Sequence, residues 1–304
     1  MSPNFLETKL CGVRLANPTI LASGYLGTSA DLLARVAKSG AGAVTSKSCS
    51  LKARAGNPNP TVIAWENTIF NAVGLSNPGV EEEIEELRAC KKITKTPIIA
   101  SIFEESVEGY GEVVARISEA KPDFIEVNLS CPHHKWKFGK VPAVEAALAR
   151  KVISRAKEST RIPIIAKLSP NVTDISEIAR AVEEGGTDAI SAINTFGGMR
   201  INVHARKPIL SNKFGGISGP SIKPMALKCV NDISRAVEIP VIGIGGIITG
   251  EDAIEFFMAG ASAVGIGSAI YYRGMGAFKL ICREMEGFMR AHGHKKLSEL
   301  RLQE

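Results

Sequence analysis

Pro163-Ile-Ile-Ala-Lys-Leu168, Ser169-Pro-Asn-Val-Thr173, Asp174-Ile-Ser-Glu-Ile-Ala-Arg-Ala-Val-Glu-Glu184, Gly185-Gly-Thr187 and Asp188-Ala-Ile-Ser-Ala-Ile-Asn194 follow one another without a gap. The first piece is a short apolar run opened by a proline, where a missing backbone donor does least harm to a strand. Thr173-Asp174 offers an N-cap, the residues up to Glu184 have helical periodicity, and Gly185-Gly186 stops the helix. Asp188 to Asn194 is a second short β-rich run. Strand, helix and strand in this order are a parallel crossover unit.

The same unit recurs in both directions. Strands are expected at Thr19 to Ala22, Gly42 to Lys47, Pro97 to Ile102, Asp123 to Asn128, Pro163 to Leu168, Asp188 to Asn194, Pro240 to Gly243 and Ala263 to Gly267. Helical patterns between and after them cover Ser29 to Lys38, Val80 to Lys92, Val107 to Ala120, Val144 to Glu158, Asp174 to Glu184, Ile222 to Ala236, Gly250 to Met258 and Gly276 to Ala291. Eight alternations are best satisfied by an α/β protein with a closed (β/α)8 TIM barrel, here one domain over residues 1–304 with long loops at the C-terminal face. The alternative is a doubly wound open sheet. Its dinucleotide signature fails at Gly243-Ile-Gly-Gly-Ile-Ile248, where Ile248 stands in place of the third glycine. Two segments exceed ordinary βα loop lengths, Ser48 to Gly79 and Thr195 to Ser221. Long loops on a barrel are expected to be lids or binding loops.

Composition narrows the class. The chain of 304 residues is 45% hydrophobic and 22% charged, values that exclude a disordered or low-complexity protein. Its net charge of +6 comes from scattered residues without a basic stripe and interleaved aromatics, which argues for a solvated surface over a nucleic-acid groove. The six cysteines, Cys11, Cys49, Cys90, Cys131, Cys229 and Cys282, form no C-x-x-C pair, so neither an iron–sulfur cluster nor a zinc ribbon is expected. They suit free thiols in the core of a protein of a reducing compartment. No apolar run reaches the length of a membrane span, and Met1-Ser-Pro-Asn-Phe5 does not open a signal sequence. The expectation is a soluble cytoplasmic protein with no membrane and no nucleic-acid partner.

Polar residues gather where the strands end: Ser23, Lys47, Asn128, Lys167, Asn194, Gly245-Gly246 and Gly267-Ser268. Two lysines in a cleft call for an anionic or strongly polar ligand, unless they form structural salt bridges. The glycines after strands seven and eight fit the phosphate site of barrel enzymes, although each alone is only a tight turn. Cys131 lies three residues past Asn128, and Pro132 takes the thiol out of the strand onto a loop, where it is either an acid–base group or an inert thiol. His133 and His134 are adjacent, unlike a helical ligand pair, so no metal site is expected. Asn71-Ala-Val-Gly-Leu-Ser-Asn-Pro-Gly79 offers carboxamides and backbone groups to a small polar ring, and also leads into the helix begun by Glu81, Glu82 and Glu83.

Five ordered motifs give the chain a resemblance to a known family: Asn71 to Gly79, Glu126-Val-Asn-Leu-Ser-Cys-Pro132, Ala166-Lys-Leu-Ser-Pro-Asn-Val-Thr-Asp174, Arg206-Lys-Pro-Ile-Leu210 with Gly215-Gly-Ile-Ser-Gly-Pro220, and Gly243-Ile-Gly-Gly-Ile247. Over nearly its whole length the sequence resembles the catalytic subunits of class 1B dihydroorotate dehydrogenases. The resemblance implies FMN at the barrel mouth and oxidation of dihydroorotate to orotate in pyrimidine biosynthesis. By position, Cys131 resembles the base that takes the C5 proton while hydride leaves C6 for flavin N5. Lys47, Asn71, Ala72, Val73, Gly74, Leu75, Asn128, Asn194 and Thr195 match substrate contacts. Ser23, Lys47, Ser48, Asn128, Lys167, Ile193, Gly219, Gly245, Gly246, Gly267 and Ser268 match FMN contacts. The chain departs from the family at His133-His-Lys-Trp-Lys137, where asparagine and a shorter neutral loop are usual, and at Ser268, where threonine is usual.

The class bears on the electron acceptor. A serine base with a membrane-seeking extension would imply the quinone-dependent class, whereas this chain has a cysteine and starts almost at the barrel. Class 1A, a fumarate-using homodimer, shares the cysteine. Arg206 to Leu210 resembles class 1B, which implies a homodimer of this chain within an α2β2 complex, with FAD and [2Fe–2S] on an electron-transfer partner subunit. The pyrimidine-reducing domain of dihydropyrimidine dehydrogenases carries similar motifs, and a non-catalytic flavin-binding barrel is a further alternative.

Overall fold

The computed structural model describes residues 5–130 and 142–302. Eight parallel strands close on themselves: β1 (Thr19–Leu21), β2 (Ala43–Thr45), β3 (Ile98–Ile102), β4 (Phe124–Asn128), β5 (Ile164–Leu168), β6 (Ala189–Ala192), β7 (Val241–Ile244) and β8 (Ala263–Ile266). Neighbours in sequence are neighbours in the barrel, and β8 returns to β1 through Val264 opposite Thr19. The strand residues are nearly all buried, as expected for parallel strands covered by helices outside and packed inside. The closed ring excludes the open doubly wound sheet.

The covering helices are α1 (Ala30–Lys38), α2 (Val80–Ile93), α3 (Val107–Ile117), α4 (Ala146–Glu158), α5 (Ile175–Glu184), α6 (Lys223–Ala236), α7 (Gly250–Met258) and α8 (Ala277–Ala291). Their starts follow the local chemistry. Asp174 caps α5 by accepting from Ser176 N at 2.8 Å, and Thr249 and Asp252 form a reciprocal capping box on α7. Each helix turns its apolar side to the strands; on α5 this side is Ile175, Ile178, Ala179 and Val182. The expected bounds hold to within two residues for most elements. The exception is α3, expected to run to Ala120 but ending at Ile117, where the 3-10 turn Ser118–Ala120 takes over.

The amino end of the barrel is closed by a hairpin that the alternation does not reveal. Strands Thr8–Leu10 and Val13–Leu15 pair antiparallel around Cys11-Gly12, and Leu10 and Leu15 pack against Ile20, Ile99, Phe124, Ile165 and Ile242 inside the ring. The two long loops are also more ordered in hydrogen bonding than loops. Val62–Trp65, Thr68–Asn71, Gly215–Ser218 and Phe196–Gly198 form a four-stranded antiparallel sheet that ties the segment after β2 to the segment after β6. Each strand has at most four residues, too few for their alternation to stand out in the sequence. The cysteines correct another expectation: Cys49 and Cys90 are in the core, but Cys11, Cys229 and Cys282 are only half-buried. The ladder of β6 ends at Ala192, so Ile193 and Asn194 lie beyond it, and the Ala192–Ile193 peptide is cis.

Candidate functional site

The carboxyl ends of the strands and the antiparallel sheet enclose a cavity of about 590 Å³, within the ~300–1,000 Å³ range of small-molecule and cofactor sites. Side chains alternate across a strand, so one face of β4 carries Phe124, Glu126 and Asn128 in turn. Phe124 packs on the hairpin at the closed end, Glu126 is buried at mid-depth, and Asn128 reaches the cavity. β5 repeats the progression with Ile165, Lys167 and Ser169.

The cationic groups of the cavity have different surroundings. Lys167, 5% exposed, donates from Nζ to Ser23 Oγ at 2.8 Å and stands 3.7 Å from Glu126 Oε1. Lys47 Nζ has no hydrogen-bond or ion-pair partner among the described residues. Burial, and then the charge of Lys167, hold its pKa below that of an ordinary lysine. The structural salt-bridge alternative therefore describes Lys167 and not Lys47.

Carboxamides are fixed around them. Tyr110 from α3 donates its hydroxyl to the Asn128 carbonyl at 2.8 Å, and Asn128 Oδ1 accepts from Ser130 N at 3.1 Å. Asn194 Oδ1 accepts from Thr195 N at 2.8 Å. The segment from Asn71 to Gly79 is held from behind by Asn77, whose Oδ1 accepts from Gly79 N at 3.0 Å and whose Nδ2 donates to Leu75 O at 2.8 Å and Ser50 Oγ at 3.1 Å. Asn57 N donates to the Val73 carbonyl, and Gly74 has φ +75°. A Cβ on Gly74 would come within 2.7 Å of Asn57 N, so the turn needs glycine.

A glycine cradle forms the wall opposite. Gly246 has φ +72°, and a Cβ there would lie 2.7 Å from the Gly219 carbonyl. Gly216 is as close to Thr195, with a Cβ falling 2.1 Å from its Oγ1. A Cβ is thus excluded at Gly219, Gly245 and Gly246, whose backbone borders the cavity next to that of Gly267 and Ser268.

The structure brings together all the described residues that the sequence singled out. Ser23, Lys47, Ser48, Asn71, Ala72, Val73, Gly74, Leu75, Asn128, Lys167, Ile193, Asn194, Thr195, Gly219, Gly245, Gly246, Gly267 and Ser268 line the one cavity. Cys131, His133 and His134 lie outside the described residues, immediately after Ser130, which lines the cavity too. Sequence reasoning gave no role to Glu126, Asn77 or Asn171. Asn171 clamps the segments after β5 and β6, with Nδ2 donating to Thr195 O at 3.0 Å and Oδ1 accepting from Gly197 N at 2.8 Å. Asn77 and Asn171 stand inside quoted motifs, but only the three-dimensional partners show what they hold. Among the described residues no cluster of His, Cys, Asp and Glu could hold a metal ion.

The fold and the cavity define a (β/α)8-barrel enzyme with its polar groups converging at the carboxyl face. The family model for dihydroorotate dehydrogenase matches residues 5–289. A protein of Methanothermobacter thermautotrophicus named "Dihydroorotate dehydrogenase B (NAD(+)), catalytic subunit" is 46% identical over 97% of both chains. Proteins of the same name from Methanocaldococcus jannaschii and Pyrococcus abyssi are 46% identical over 95% of both chains and 43% identical over 97% of both. The chain belongs to the dihydroorotate dehydrogenase family, and with it to the oxidoreductases.

Proposed function

We propose that this chain, one FMN-binding barrel domain over residues 1–304, oxidises dihydroorotate to orotate in pyrimidine biosynthesis and passes the electrons to a partner subunit. The observation that carries the reading is the meeting, on one cavity, of an ion-paired lysine, a lysine without a partner among the described residues, the carboxamides of Asn71, Asn128 and Asn194, and a glycine cradle. A phosphorylated cofactor fits this donor set. Backbone that admits no Cβ borders one side, and the Lys167 ammonium and the Ser23 and Ser48 hydroxyls border another.

In this reading Ser23, Ser48, Lys167, Ile193, Gly219, Gly245, Gly246, Gly267 and Ser268 hold FMN, with Lys47 and Asn128 shared with the substrate. When bound, the flavin supplies an acceptor for the hydride from substrate C6. Lys47 meets the substrate carboxylate, because an ammonium in a half-buried site, without a partner among the described residues, gains most from an anion. Asn71, Asn128 and Asn194 supply donors and acceptors for the ring amides, and the backbone of Ala72 to Leu75 with Thr195 closes around the ring. Lys167 holds positive charge where negative charge develops on reduction. Cys131 takes the C5 proton as thiolate; the reading rests on its motif and on the chain leaving Ser130 at the cavity wall.

The relatives' name, catalytic subunit, supports a partner, here taken as an FAD and [2Fe–2S] subunit in an α2β2 complex around a homodimer of this chain. The location is taken as the cytoplasm. None of the described helices is long and apolar enough to cross a membrane. The test is to identify the copurifying flavin and add dihydroorotate without oxygen. FMN that bleaches supports the reading, and FAD or an unresponsive flavin overturns it. The single chain should reduce NAD poorly, whereas efficient fumarate reduction would make it class 1A.

A further inference from the structure

One carboxylate lies inside the barrel below the cavity and has no part in the roles above. Glu126 is 4% exposed, and strands on both sides fix it. Ser101 Oγ of β3 donates to Oε1 at 2.9 Å, and Ser191 Oγ of β6 donates to Oε2 at 3.0 Å. Lys167 Nζ stands 3.7 Å from Oε1. Both oxygens of the carboxylate are therefore occupied by donors, the condition for keeping a charge in the interior.

The hydroxyls acquire a direction from this arrangement. Ser101 has one proton and gives it to Glu126, so at the 2.8 Å contact between Ser48 Oγ and Ser101 Oγ the Ser48 hydroxyl is the donor. Ser48 then offers the cavity an acceptor. Ser23 accepts from Lys167, which leaves the Ser23 hydroxyl as a donor.

We propose that Glu126 is a positioning residue that offsets the charge of Lys167 and orients the serine chain, so that among the described residues the cavity mouth holds one uncompensated ammonium, Lys47, instead of two. The inference deepens the FMN reading above and rests on it. A flavin gains negative charge on reduction, and each uncompensated positive charge beside it favours the reduced form. Glu126 thus keeps the potential low enough for electrons to leave for the next carrier.

The experiment is a spectroelectrochemical titration of the FMN-loaded chain, giving midpoint potentials for wild type, Glu126→Gln, Glu126→Asp, Lys167→Gln and the double variant Lys167→Gln/Glu126→Gln. Glu126→Gln should raise the potential by ~30 mV or more, a tenfold change for a two-electron couple. Glu126→Asp, which keeps the charge, should move it by less than a third as much. Lys167→Gln should lower the potential, and the double variant, whose charge equals that of wild type, should recover most of the loss. An unchanged potential in folded Glu126→Gln, or an equal rise in Glu126→Asp, overturns the proposal. If Glu126→Gln does not fold, the comparison of Lys167→Gln with the double variant decides, and absence of recovery overturns it. Wild-type protein that takes up no FMN would instead overturn the cofactor reading, and this inference with it.

Discussion

The two ends of the barrel are built from the same strands and differ in what those strands place inside. At the amino end Ile20, Ile99, Phe124, Ile165 and Ile242 meet Leu10 and Leu15 of the hairpin, and the interior is apolar and filled. Two residues further along, the same faces carry Ser101, Glu126, Lys167 and Ser191, linked by hydrogen bonds and an ion pair. Beyond them Lys47, Asn128 and Asn194 border open space. The reversal takes place within one strand length, roughly 3.3 Å per residue, so stability and chemistry are separated along the barrel axis. Substitutions at the two ends should therefore differ in kind.

The largest effect on ligand binding is expected at the open end. Lys47→Ala should weaken orotate binding about 100-fold or more, on the order of 3 kcal/mol for a lost charge-assisted contact, with an unfolding midpoint no lower than that of wild type. Wild-type affinity should fall as pH rises toward the lysine pKa, and at a lower pH than an ordinary lysine would give, because burial and Lys167 disfavour the Lys47 ammonium. Orotate titrations watched through the flavin absorbance measure both. A large loss of stability in Lys47→Ala would break the separation of the two ends.

At the closed end Leu15→Ala should cost ~2–5 kcal/mol of stability by leaving a cavity under the hairpin, with orotate affinity within twofold of wild type. Denaturant unfolding and the same titration check it. Glu83 sharpens the comparison from the outer layer. It is 2% exposed on α2, and burial, ahead of the opposing Ser46 hydrogen bond and the charges of Glu86 and Glu82, pushes its pKa up to about 7. The folded state holds this proton more tightly than the unfolded one, so stability falls as pH rises from the unfolded carboxyl range through 7. Glu83→Gln should match wild type near pH 4 and be more stable by up to about 3 kcal/mol at pH 8. Parallel pH profiles of the two proteins would contradict this. The smallest effect is expected at the α7 start, where Thr249→Ala should cost about 1 kcal/mol in unfolding free energy by removing the cap on Asp252 N.

How much of this was legible in the sequence follows from length and locality. The strand and helix alternation is a local signal repeated eight times, and punctuation such as Thr173-Asp174 and Gly185-Gly186 marks its edges. The hairpin at Thr8–Leu10 and Val13–Leu15 has three residues per strand, too few to show a period, and its purpose appears only when Leu10 and Leu15 join a cluster with residues from all eight barrel strands. The antiparallel sheet pairs Asn71 with Gly216, a relation between two loops that no local pattern encodes. The cavity residues were legible because they stand at strand ends or within motifs. Glu126 was quoted within one of those motifs and yet had no role, because its partners Ser101 and Ser191 come from other strands.

The central claim is that the open end oxidises dihydroorotate with Cys131 as base. It is tested most directly by anaerobic stopped-flow bleaching of the bound flavin by dihydroorotate, across a pH series, in wild type and Cys131→Ala. The account predicts a wild-type rate that rises with pH across the thiol ionisation and then levels, and a Cys131→Ala rate lower by about 100-fold or more with orotate binding retained. A Cys131→Ala protein that bleaches its flavin as fast as wild type would contradict it.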